Sequence, residues 1–127
     1  LKGLPRRFCC DPKLVGIMLN NLLENAVRYS PEGGLIWVTG TLDEDDIVEL
    51  AVMDEGPGID KSDQTRIFDR YTQLNRSPGH NLGMGLGLFI VRRVVQLHGG
   101  KVVCESEAGE GATFRITFKR CECQKVL

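Results

Sequence analysis

The 127-residue sequence has no long apolar run. No stretch approaches the roughly 18 apolar residues that would cross a bilayer, so membrane contact is not expected of it. It also lacks a charge excess: 16 basic residues stand against 17 acidic ones, a formal net charge of -1. That balance excludes a general pull toward nucleic acid or anionic lipid. The apolar part of Leu1–Arg7 is too short for a signal peptide, and a first residue other than Met reads as an excised fragment or processed product. Cysteines at 9, 10, 104, 121 and 123 are odd in number and irregularly spaced. This argues against a disulfide framework and for a reducing, cytoplasmic setting. Cys121 and Cys123 form a CxC without a second ligand pair at zinc spacing, so ordinary thiols are expected. The length fits one domain, which buries roughly two thirds of its unfolded surface without staples.

Glycine is present in excess, 15 of 127 residues, or about 12% against a usual 7%. Eight of these fall between Gly79 and Gly111, in short patterned clusters that indicate defined turns rather than a linker. Arg7–Cys10 reads as a short strand. Asp11-Pro12 is a helix opening, with Asp as N-cap and Pro in the first turn. Leu14, Val15, Met18, Leu22 and Ala26 then recur at helical spacing to about Tyr29. Leu35–Leu42 and Ile47–Met53 alternate as two strands around the acidic, solvated turn Asp43–Asp46. Asp60–Phe68 reads as a short helix, 70–83 as a loop, and Leu86–Leu97 as a second long helix ending at His98-Gly99-Gly100. Lys101–Ser106 and Ala112–Phe118 close the chain as a hairpin. The order β-α-β-β-α-loop-α-β-β predicts an α+β sandwich of two layers. Its sheet is expected to be mixed, of about five strands, with about three helices on one face. One domain should fill 1–127, with a core over 8–119 and a tail over 120–127.

Four clusters point to chemistry. Asn21 and Asn25 are one helical turn apart and flank the apolar stripe, where Asn costs helix stability. They are either amides bonded to a loop or part of a Mg²⁺ site, since Mg²⁺ takes hard oxygens and often only one or two protein ligands. Asp54-Glu55-Gly56-Pro57-Gly58-Ile59 follows a strand directly. It is either a plain β-to-α turn or a pocket in which Asp54 accepts from an exocyclic amine such as adenine N6. Gly83-Met84-Gly85-Leu86-Gly87-Leu88 opens a helix, where freed backbone N–H groups suit phosphate. No βαβ unit surrounds it, so it is not a dinucleotide fingerprint. Gly109-Glu110-Gly111-Ala112-Thr113 alone would be only a hairpin turn.

Taken in order, these clusters resemble the catalytic ATPase domain of histidine kinases, in the GHKL superfamily shared with type II topoisomerases, mismatch-repair ATPases and one class of heat-shock chaperone. Leu19–Ser30 is similar to the N box, Asp54–Ile59 to the first glycine box, Ile67-Phe68-Asp69-Arg70-Tyr71 to the F box, Gly83–Gly87 to the second glycine box and Gly109–Thr113 to the third. The resemblance spans nearly the whole chain and implies a Bergerat-type ATP-binding fold.

It also implies roles. Asn25 would bind Mg²⁺, and Asn21 would support the same phosphate region. Arg28 and Tyr29 would touch phosphate and the adenine side. Asp54 would hold adenine N6, with Gly56, Gly58 and Ile59 shaping the pocket and Thr113 near the base. Gly83, Met84, Gly85, Leu86, Gly87 and Leu88 would carry the phosphates. Phe68 and Tyr71 would anchor a lid over 72–82. Asn21, Asn25 and Arg28 would form the catalytic set. Hydrolysing relatives place a Glu base where Asn21 stands here, which suits transfer to a protein histidine better than fast hydrolysis; Glu24 faces away from the stripe. The only histidines, His80 and His98, lack the neighbours of an acceptor box. The acceptor would therefore be a histidine on the parent kinase's separate dimerisation domain, with a response regulator downstream. The domain would be cytoplasmic whether or not its parent is membrane-anchored. A serine kinase of the anti-sigma type and a non-catalytic interaction domain are the competing readings.

Overall fold

The computed structural model describes residues 10–70, 86–107 and 109–119. Helix α1 covers Pro12–Tyr29. Asp11 caps it: Oδ1 accepts from Lys13 N at 3.0 Å and Leu14 N at 3.2 Å, and Pro12 occupies a first-turn position where no N–H is missed. Its end is set by Ser30 in extended conformation, followed by Pro31. Strands β1 (Trp37–Leu42) and β2 (Ile47–Asp54) follow, joined by the acidic turn. There Asp43 Oδ1 accepts from Asp45 N and Ile47 N, both at 2.9 Å. The chain then passes a 3₁₀ turn at Arg66–Phe68 and enters helix α2, Gly87–Leu97. Strands β3 (Lys101–Ser106) and β4 (Ala112–Lys119) complete the order.

The two-layer α+β architecture is as expected, but its details differ. Among the described residues the sheet has four strands in the order β1-β2-β4-β3. All three adjacent pairs are antiparallel. The sheet was expected to be mixed because its closing strands are hairpin-connected. The hairpin instead inserts β4 between β2 and β3, so no two parallel strands are neighbours among the described residues. Of the expected strand at 7–10 only Cys10 is described, and it is not in a strand. The helix expected over 60–68 is reduced to turns. Asp63 N bonds Asp60 O at 2.8 Å and Asp69 N bonds Arg66 O at 3.0 Å, both i→i+3, with a lone i→i+4 bond from Ile67 N to Asp63 O at 3.0 Å, so no run of α-helical bonds is built.

Both helices lie on one sheet face. Met18, Leu22 and Ala26 of α1 and Val91, Val94 and Val95 of α2 meet Val48, Leu50, Val52, Phe114, Ile116 and Phe118 of the sheet in one buried cluster. Phe68 closes its edge against Phe114, edge to face, with centroids 6.2 Å apart. The other face is polar at its centre. There Arg115 bonds Glu105 and Glu49, both at 2.9 Å, and the bond to Glu105 leads the effects that raise its pKa.

His98 sits at the end of α2, as expected. Its Nε2 accepts from Asp11 N at 3.0 Å and its Nδ1 lies 2.8 Å from Val94 O. These partners assign the Nδ1–H tautomer and tie the end of α2 to the start of α1.

Phe114 is fully buried between the helices and the sheet. Phe114→Ala should destabilise the domain by about 3–5 kcal/mol, read as a shift in the urea midpoint at unchanged m. A loss below about 1 kcal/mol would contradict this packing.

Candidate functional site

The site is built around the end of β2. Alternation along β2 points Val48, Leu50, Val52 and Asp54 to the helix layer, which makes Asp54 the buried charged residue of the described core at 6% exposure. A carboxylate so placed must be hydrogen-bonded. Asp54 Oδ1 accepts from Gly56 N at 2.8 Å and from Ala112 N at 3.3 Å. The second bond exists because Ala112 stands opposite Asp54 in the β2–β4 register. Glycine at 111 lets the two backbones approach: its φ is +77°, and a Cβ there would collide with the Asp54 carbonyl. Glu55 faces outward, and its Oε2 accepts from Leu35 N at 2.9 Å, pinning the approach to β1.

The first and third glycine clusters therefore meet at one place. Gly56 is buried; Gly58, at φ +79°, lies against the Glu107 carbonyl. Ile59 is a core residue whose N–H donates to Ser106 Oγ at 2.8 Å. Thr113 is different. In β4 the residues 112, 114, 116 and 118 face the helices, so Thr113 projects to the open face, opposite Met53 and Glu105. A one-residue step changes faces, and the residue directly across from Asp54 is Ala112. Ala112 had no role in the sequence reading because its contribution is a backbone N–H, which side-chain identity does not reveal. Ser106 and Gln64 were missed for a related reason: they belong to none of the glycine clusters.

On α1 the two asparagines behave differently. Asn21 Nδ2 donates back to Ile17 O at 2.8 Å, while its Oδ1 faces α2: a Cβ on Gly87 would lie 3.0 Å from it. Asn21 thus abuts the N-terminal turn of α2, where helix N–H groups concentrate. Asn25 is half-buried, and its Nδ2 is buried with no hydrogen-bond partner among the described residues. An unpartnered buried amide costs about 1–3 kcal/mol, which a ligand would offset. Because the amide's N and O ends are assigned only through their partners, such a group can equally present its oxygen to a cation. Arg28 and Tyr29 are half-buried at the end of α1, and Glu24 is exposed. Leu86, Gly87 and Leu88 form the start of α2, with Leu88 packed on the core. Tyr71, Gly83, Met84, Gly85, His80 and the expected lid at 72–82 lie outside the described residues, as do Cys121 and Cys123. No helix among the described residues is long and apolar enough to cross a membrane.

The family model for histidine kinase-, DNA gyrase B- and HSP90-like ATPases matches residues 10–122. The chain belongs to this ATPase family. Among its relatives, the adaptive-response sensory kinase SasA of Parasynechococcus marenigrum (strain WH8102) is 40% identical over 114 residues, covering 90% of this chain and 30% of the relative. The sensor histidine kinase WalK of Bacillus subtilis (strain 168) is 39% identical over 132 residues, covering 98% of this chain and 21% of the relative. The chain thus spans less than a third of the length of either relative. The crystal structure of full-length ShkA in complex with AMPPNP superposes with a TM-score of 0.79 at 31% identity, over 94% of this chain and 24% of that one.

Two glycines of this ATPase domain give an internal comparison. Gly109 (φ +83°) and Gly111 (φ +77°) both adopt the left-handed region, but a Cβ on Gly109 meets nothing within 4 Å. Gly109→Ala should cost about 1–2 kcal/mol. Gly111→Ala should cost clearly more, since the backbone at Asp54 must also move. Equal thermal shifts for the two variants would contradict the close approach at Asp54.

Proposed function

We propose that this chain is the ATP-binding catalytic domain of a sensor histidine kinase, and that it passes the γ-phosphoryl of ATP to a histidine on its parent's separate dimerisation domain. The observation that carries the reading is Asp54: a buried carboxylate at a strand end, bordered by glycines and held by two backbone N–H groups. A carboxylate has about four acceptor sites, and an adenine N6 amine is a fitting donor. Family membership and relatives named as sensory kinases support it, as does a structural neighbour in complex with AMPPNP.

In this reading Gly56, Gly58 and Ile59 shape the base pocket. Leu86, Gly87 and Leu88 present the start of α2 to the phosphates, and the second glycine box adds Gly83, Met84 and Gly85 to the proposed phosphate-binding set. Asn21 holds that helix start in place, and Arg28 and Tyr29 flank the nucleotide. Asn25 offers one hard oxygen to Mg²⁺, an ion that commonly takes one or two protein ligands and completes its shell with phosphate and water. Bound Mg²⁺ would neutralise charge between phosphate oxygens. Phosphoryl transfer needs mainly positioning and charge stabilisation, and the chain's part is to hold ATP while the partner domain brings the acceptor. A response regulator would act downstream, and the domain would work in the cytoplasm.

Asp54→Asn should weaken ATP binding about 10- to 100-fold and blur the preference for adenine over guanine, because a charge-assisted bond is lost. Calorimetry showing equal affinity for the variant and the parent sequence would remove Asp54 from the base site. Asn25→Ala should abolish the Mg²⁺ dependence of binding while leaving the thermal transition in place; a collapsed transition would mark Asn25 as a structural amide instead. With labelled ATP, acid-labile phosphate should appear on the dimerisation domain's histidine only when both pieces are present. Base-labile label on a partner serine would point to an anti-sigma kinase.

A further inference from the structure

The glycine loops on either side of Asp54 are not joined by the sheet alone. The β2–β4 ladder ends at the Asp54–Ala112 pair. Beyond it, the segment Glu55–Ile59 and the β3–β4 turn are held together by Ser106, the last residue of β3. Ser106 Oγ accepts from Ile59 N at 2.8 Å and donates to the Gly111 carbonyl. A hydroxyl has one proton; with that proton on Gly111 O, a lone pair remains for Ile59 N–H, so both bonds form at once. The Ser106 carbonyl accepts from Gln64 Nε2 at 2.8 Å, and the same amide donates to Ile59 O at 2.9 Å. Gly109 N adds a bond to Pro57 O at 2.7 Å.

Stapling a hairpin would require only the bond to Gly111. The bonds to Ile59 and Gln64 instead join segments 47 and 42 residues away in sequence. They bind the two loops whose N–H groups, Gly56 and Ala112, fix Asp54 Oδ1. Ser106 reaches Asp54 only through this backbone.

We infer that Ser106, with Gln64 behind it, is a positioning residue for purine recognition: it locks the two glycine loops together and thereby sets where the Asp54 carboxylate points. This rests on the reading of Asp54 as the acceptor for the adenine amine. Removing the hydroxyl leaves Ile59 N–H and Gly111 C=O unpaired at a half-buried site and lets the loops separate. The loss then falls on base affinity and base choice.

The test is calorimetric titration of the 127-residue chain with ATP and with GTP, each with Mg²⁺, alongside thermal melts. Ser106→Ala should raise the Kd for ATP about tenfold and narrow the ATP-to-GTP preference. Ser106→Thr keeps the hydroxyl in a strand position that favours a β-branched residue, and should restore both to within about threefold of the parent sequence. Gln64→Leu should move both quantities in the same direction as the alanine variant, by less. A lower Tm with an unchanged ATP-to-GTP ratio overturns the inference and leaves Ser106 as a hairpin staple. If Ser106→Ala loses its cooperative melt, Gln64→Leu decides by the same ratio: narrowed supports the inference, unchanged overturns it. If the parent sequence itself fails to bind ATP, the functional reading fails and carries this inference with it, a result distinct from ATP binding that Ser106 does not influence.

Discussion

Everything near the site follows from burying one carboxylate. Asp54 is placed inside by the alternation of β2, whose other inward residues are valine and leucine. A buried charge costs several kcal/mol unless it is hydrogen-bonded, and the neighbouring backbone meets that demand. One N–H comes from two residues ahead in the same chain, the other from across the sheet. The second is available only because β4 lies between β2 and β3 and begins opposite Asp54. The same approach excludes any side chain at position 111. Strand order, register and glycine placement thus answer a single electrostatic requirement.

The helical layer supplies the other half of the site. α1 and α2 pack against one sheet face through aliphatic residues, which leaves the polar flank of α1 beside the start of α2. Asn21 lies against Gly87 at that junction, and among the described residues the Asn25 Nδ2 is buried without a hydrogen-bond partner. His98 links the opposite ends of the two helices through Asp11 N. The helix pair is therefore in contact at both ends, and at the His98 end it is tied by a hydrogen bond.

Much of this was legible in the sequence. Asp11-Pro12, the stripe through Met18, Leu22 and Ala26, and the alternation of β2 and β4 gave the helices and strands, because each is a local signal that tertiary packing reinforced. The glycine clusters located the loops around Asp54 for the same reason, since a positive φ or a close backbone approach leaves glycine in the sequence. What was not legible depended on register. The antiparallel sheet required knowing that β4 inserts beside β2, and the face of Thr113 required the Asp54–Ala112 pairing. Backbone donors such as Ala112 N–H carry no side-chain signature, and Ser106 and Gln64 act between segments more than 40 residues apart.

If the proposed function is right, Asp54 receives a purine base and Asn25 faces the metal end of the same nucleotide. A crystal structure of the chain with a non-hydrolysable ATP analogue and Mg²⁺ tests it most directly. The exocyclic amine should lie about 3 Å from an Asp54 oxygen or be joined to it through one water, with the Asn25 oxygen about 2.1 Å from the metal. A base seated away from Asp54, or a metal with no contact to Asn25, would contradict it.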